Sequence, residues 1–150
     1  MAKSVRIDQS PQFHDYLQQA PAEIAGVLAG LVSAFTEYAA GGYRSHHDFG
    51  RDAPLHRPPS VYQAGLRHIH CITLDVQERP ALMKRWLRST SFHRKTDRML
   101  VYARDDQGNS YLLAYFHGNA HALIENRQLM LGLAEEAERW LKRTGAFPDC

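Results

Sequence analysis

The sequence predicts an α+β fold in which a small antiparallel β-sheet is flanked by an N-terminal helix and a C-terminal helix. Three observations carry this reading. Residues 21–40 repeat apolar side chains at helical spacing, residues 99–103 and 111–116 are apolar runs on either side of a Gly/Asn turn, and residues 121–143 repeat the helical pattern. No internal repeat and no linker interrupts the 150 residues, so one domain spanning 1–150 is expected.

Val5 and Ile7 alternate with polar neighbours and predict a short first strand. In 21–40, Pro21 suits a first helical turn, and Ile24, Val27, Leu28, Leu31, Val32, Phe35 and Tyr38 share a face that Gly41-Gly42 ends. A polar, Pro-rich loop over 43–60 carries His46, His47 and His56. Residues 66–74 alternate as a strand does, and a basic stretch around 82–87 has helical character. The runs 99–103 and 111–116 flank Asp105-Asp106-Gln107-Gly108-Asn109 and predict a hairpin. Leu123, Met130, Leu133, Ala137, Trp140 and Leu141 line one face of the closing helix. A sheet of this kind packs one face and can show the other to a ligand.

Composition narrows the classes. With 44% hydrophobic and 23% charged residues the chain is ordinary globular protein and not a disordered tail. No apolar run approaches the roughly 20 residues that span a bilayer, so no membrane partner is expected. The first six residues contain no apolar signal region, and the expected location is the cytoplasm. Cys71, inside an apolar run, is read as a buried thiol and Cys150 as a loose one; neither implies a disulfide framework or a zinc knuckle.

The net charge is only +2, but it is unevenly spread. Arg79, Lys84, Arg85, Arg88, Arg94, Lys95 and Arg98 face a single acid, Asp97, while Glu135, Glu136 and Glu138 gather near the other end. Such a stretch is either an electrostatic footprint for a polyanion or a solvated helix face.

The histidines carry the chemistry. On a strand, His68 and His70 fall on one face and Ile69 and Cys71 on the other. With Ile69 and Cys71 turned to the core, the imidazoles are expected to face outward. Arg98 opens the next strand and His121 follows the one after, so an antiparallel sheet can bring all four to one surface. Cleaving RNA without a metal needs a base for the 2′-hydroxyl, an acid for the leaving 5′-oxygen, and cations for the phosphorane. Histidine, with a reference pKa of about 6.5, suits the first two tasks and arginine the third. The bland readings are a structural His-x-His pair, a His121 that only bonds backbone at a helix start, and solvated His46 and His47. A zinc site from His46, His47, His68 and His70 is conceivable, but no cysteine or further carboxylate completes a familiar spacing. No metal and no cofactor is therefore expected.

Asp48-Phe49-Gly50-Arg51-Asp52-Ala53, His68-Ile69-His70, Leu100-Val101-Tyr102 and Leu112-Leu113-Ala114, followed by His121, together resemble the YafO toxin family from about residue 5 to residue 143. The resemblance implies a type II toxin, an mRNA interferase acting with the ribosome and held inactive by a cognate antitoxin protein. It also implies a RelE-like arrangement of sheet and helices. Within it, His68 and His70 match the HIH motif, and His121 and Arg98 occupy positions used by RelE-like nucleases. That resemblance implies His68, His70, His121 and Arg98 as catalytic residues. Arg51, Arg79, Lys84, Arg85, Arg88, Arg94 and Lys95 would contact mRNA or the ribosome. Arg51 and Asp52 are expected to pair and fix the loop, with contact to RNA as the alternative for Arg51. A non-catalytic module that blocks translation by occupancy is the competing function.

Overall fold

The computed structural model describes residues 4–149. The chain runs β1 (Ile7–Gln9), α1 (Pro11–Gln19), α2 (Ala22–Ala40), β2 (Phe49–Pro54), α3 (Pro59–Gln63), β3 (Leu66–Cys71), α4 (Leu74–Glu78) and α5 (Pro80–Arg88). A 3-10 turn (Ser91–His93), β4 (Met99–Arg104), β5 (Ser110–Phe116), α6 (Ala120–Ile124) and α7 (Arg127–Thr144) complete it. The five strands form one sheet in the order β1-β5-β4-β3-β2, antiparallel except for the parallel β1–β5 pair. This is the α+β class that the sequence predicts.

Alternation along the strands builds a core on each face of the sheet. Ile69, Cys71, Leu100, Tyr102 and Leu112 meet Phe13 of α1 and Leu28, Leu31 and Phe35 of α2. Leu66, Val101, Tyr111 and Leu113 meet Met130, Ala137 and Trp140 of α7 on the other side. The hairpin is set by Asp105, whose Oδ1 accepts the backbone N–H groups of Gln107 and Asn109 at 2.9 Å each, with Gly108 at φ +84°. Because helices cover both faces, no wide sheet surface is left open among the described residues, although a sheet of this kind can show one face to a ligand.

Several elements differ from the sequence reading. The first strand sits slightly later than expected, and Val5 lies outside it. Helix α1 has only one fully buried residue, Phe13, so its apolar period is thin; Ser10 caps it, accepting the Phe13 N–H at 3.1 Å. Pro21 stands just before α2 and not inside it. The expected loop over 43–60 contains β2, an edge strand whose Gly50 and Pro54 resemble turn chemistry. The closing helix is two helices, and Asn126 caps the second by accepting the Leu129 N–H at 3.0 Å. Among the described residues α2 is long and apolar enough to cross a membrane, contrary to the expectation that no apolar run approaches that length. Glu23 and Glu37 interrupt its run, and Leu28, Leu31, Ala34, Phe35, Tyr38 and Ala39 are buried. Cys71 is the buried thiol expected, its pKa pushed up to about 12 by burial; Cys150 lies outside the described residues.

Candidate active site

Strand β3 places His68 and His70 on one face, as their spacing predicts, and α6 delivers a third imidazole beside them. Ring centroids stand 5.6 Å apart for His68 and His70 and 5.7 Å apart for His70 and His121. The rings do not simply face solvent. His70 is only 3% exposed and His68 is partly buried, whereas the His121 side chain is 60% exposed.

His121 is held by a residue that the sequence reading passed over. The Asp97 carboxylate accepts the backbone N–H groups of Asn119 at 2.7 Å and His121 at 3.1 Å, and the His121 Nδ1–H at 2.9 Å. Those bonds, backbone and side chain from His121 first, hold the Asp97 carboxyl below its ordinary range. An ionised carboxylate can only accept, so the network assigns the proton to His121 Nδ1 and leaves Nε2 as the open nitrogen. The only sequence signal for Asp97 was its isolation as the single acid in a basic run.

His70 is set by Thr96. Its Nδ1 lies 2.7 Å from the Thr96 carbonyl oxygen and 2.9 Å from the Thr96 nitrogen, and one ring nitrogen can satisfy only one of these at a time. With Nδ1–H donated to the carbonyl, Nε2 keeps a lone pair. Thr96 is itself anchored, its hydroxyl donating to the Cys71 carbonyl at 2.7 Å. Burial lowers the His70 pKa; the Thr96 backbone opposes this, and the charges of His121, Arg51 and Lys95 reinforce it. His68 is pushed down to about 4, by burial first and His70 second, and its buried Nδ1 has no hydrogen-bond partner among the described residues. Near neutral pH, His68 and His70 are therefore uncharged.

The family model described as "Toxin YafO, type II toxin-antitoxin system" matches residues 36–142. The chain belongs to the YafO toxin family. It is a toxin of a type II toxin–antitoxin system, and its partner is a cognate antitoxin. No curated protein and no solved structure matches the chain. The matched span contains all three histidines, Thr96 and Asp97.

In this YafO toxin the cations expected at the site separate into distinct groups. Arg98 does not join the histidines: it precedes Met99, which pairs with His70, so it points to the opposite face, where its charge acts on Cys71, Tyr115 and His117. Arg94 is not an exposed RNA contact. It is buried, donating from Nε to the Trp86 carbonyl at 2.8 Å and from Nη1 to those of Phe49 at 3.1 Å and His46 at 3.3 Å. Arg51 does not pair with Asp52; its guanidinium lies 4.2 Å over the Phe92 ring, on the histidine side of β2, while Asp52 turns to Arg67 on the other. Gly50 explains the remainder of the FGRD motif. A Cβ there would overlap the Arg94 carbonyl, which accepts the Arg51 N–H at 3.0 Å and draws the 91–96 segment onto β2.

Arg79, Lys84, Arg85, Arg88 and Lys95 are exposed, as a docking surface requires. Helix α5 holds its own position through Trp86, whose Nε1 donates to the His47 carbonyl at 2.8 Å. His46 and His47 lie apart from His68 and His70. With Asp48 they form the cluster of possible metal ligands found among the described residues. His46 fits a metal poorly, since Nδ1 accepts the Asp48 N–H at 3.1 Å and Nε2 meets Glu37 at 2.9 Å.

Proposed function

We propose that this toxin cleaves mRNA on the ribosome, in the cytoplasm, by acid–base catalysis in the manner of RelE-like endonucleases. The observation that carries the reading is the pairing of an exposed imidazole, His121, oriented by Asp97, with a buried neutral imidazole, His70, at 5.7 Å. A base and an acid within reach of one phosphate are what 2′-hydroxyl attack needs. His70 Nε2 takes the 2′-hydroxyl proton, with Nδ1–H donated to Thr96. The 2′-oxygen bonds to phosphorus, the P–O5′ bond breaks, and His121, as imidazolium, gives its Nε2 proton to O5′. The products are a 2′,3′-cyclic phosphate and a 5′-hydroxyl. Arg51 and Lys95, whose charges reach His70, supply cations for the phosphorane. The low pKa of His68, about 4, makes it unfit to be the acid near neutrality, and it backs His70 instead. The exposed cations of α5 and its neighbours dock ribosomal RNA.

The test is cleavage of a translated mRNA on purified ribosomes. His121→Ala and His70→Ala should each lower the rate by roughly 10²–10⁴-fold, the usual worth of a general acid or base. EDTA should leave cleavage intact when ribosomal magnesium is held constant. Folded variants that stay fully toxic and cleave at the wild-type rate would overturn the mechanism in favour of occupancy.

A further inference from the structure

We infer that Arg51 and Phe92 form a stacking platform for an unpaired nucleobase of single-stranded RNA. The inference rests on the cleavage reading only for where the RNA backbone runs. Phe92 is 56% exposed, a large apolar ring held out on the 3-10 turn, with the Arg51 guanidinium 4.2 Å over its face. Planar guanidinium and aromatic faces are the two surfaces on which proteins stack unpaired bases. Beside the pair lies a pocket of about 210 Å³, lined also by Tyr43, Arg44, Ser45 and His46, whose polar groups can meet the edge of a base.

The fold ties this platform to the histidines. Phe92 precedes by four residues Thr96, whose backbone meets His70 at both 2.7 and 2.9 Å. Arg51 stands on β2, which pairs directly with β3, and its N–H donates to Arg94 at 3.0 Å. Charge selects the occupant. Arg44, Arg51 and Lys95 are all cationic, and the nearby Asp52 carboxylate is turned into bonds with Tyr38, Tyr102 and Arg67. A polyanion with flat, unpaired bases satisfies both the cations and the exposed ring, whereas an acidic peptide satisfies only the first.

The experiment is titration of the toxin into a short single-stranded 2′-deoxy oligonucleotide carrying 2-aminopurine, which cannot be cleaved through a 2′-hydroxyl. Wild-type toxin should quench the fluorescence on binding. Phe92→Ala should weaken binding roughly 5- to 100-fold, the range for loss of one base–aromatic stack, while Phe92→Trp retains it. The salt dependence should be unchanged in Phe92→Ala and shallower in Arg51→Ala, because only the second removes a charge. Circular dichroism checks that both fold. If wild type quenches the fluorescence and Phe92→Ala weakens that binding, yet wild type cleaves nothing on ribosomes, the nuclease reading falls and the platform stands. No quenching by wild type overturns the platform, as does equal affinity of Phe92→Ala. Loss of antitoxin binding in Phe92→Ala without loss of oligonucleotide binding also overturns it, making the ring part of the antitoxin interface.

Discussion

Arg67 and His68 are neighbours on β3, yet their side chains end in opposite kinds of polar surroundings. On the α2 side, the Asp52 carboxylate accepts Arg67 Nε at 3.0 Å, the Tyr38 hydroxyl at 2.6 Å and the Tyr102 hydroxyl at 2.5 Å. Burial first, and the Asp52 charge second, keep both phenols protonated. That network is closed: the carboxylate has its donors and the donors have their acceptor. On the other side, His68 Nδ1 has no partner, His70 Nδ1 has two that exclude each other, and His121 leaves Nε2 open. Polar groups that satisfy one another stabilise the fold, and those left with spare valence are the ones able to act on a substrate.

The largest expected effect breaks the closed side. Asp52→Ala strands a guanidinium and two phenols, with Arg67 and Asp52 side chains only 16% and 8% exposed. Removing one partner of a buried pair costs about 3–5 kcal/mol, which urea unfolding would read. A loss below about 1 kcal/mol would mean that the network does not hold β2 to β3.

Next comes the pH response of the open side. In the unfolded chain His68 has a pKa of about 6.5 and in the folded chain about 4, so between these values the unfolded state binds more protons. Stability therefore falls as pH is lowered through that window, by an amount on the order of 3 kcal/mol at pH 4. His70 and His117 shift in the same direction. Unfolding free energies measured from pH 7 to pH 4 should slope accordingly, and His68→Gln should flatten the slope; an unchanged slope would show that His68 is solvated.

Asp97→Asn sharpens the comparison further. The amide oxygen can still accept a backbone N–H, but its NH₂ group meets Nδ1 only when that nitrogen is deprotonated, so the variant disfavours the imidazolium that the acid step needs while Nε2 still faces substrate. Cleavage should drop by roughly 10²-fold with a displaced pH profile, the signature of an acid whose protonated form has lost its partner. A purely structural Asp97 would leave the profile in place.

The smallest expected effect on stability lies outside both networks. Arg85→Glu with Arg88→Glu should cost no more than about 1 kcal/mol, because both side chains are exposed. Ribosome co-sedimentation should nevertheless weaken, with a shallower salt slope. An unchanged slope would make α5 a solvated face.

Legibility followed the range of the interaction. The β4–β5 hairpin could be read because Asp105 bonds to residues two and four positions on, and the same-face pair His68 and His70 because strand pleating is local. Strand β2 could not, because Gly50 looks like turn punctuation until the Arg94 carbonyl is laid against it from more than 40 residues away. The charges at 94 and 98 were visible, but the burial of one and the facing of the other were not, since neither follows from residue type.

Taken alone, then, the sequence determined the α+β class, the face shared by His68 and His70, the concentration of positive charge and the resemblance to the YafO family, all of them properties of local period, composition or motif order. Tertiary structure decided which polar groups meet: Asp97 with His121, Thr96 with His70, Arg51 with Phe92, Asp52 with Arg67. Except for the nearest of these pairs, 15 residues apart in Asp52 and Arg67, the partners lie 24 residues or more from each other in the chain. Their encounter is fixed by strand order and by the burial of apolar side chains between them, and no periodicity within one segment can encode it.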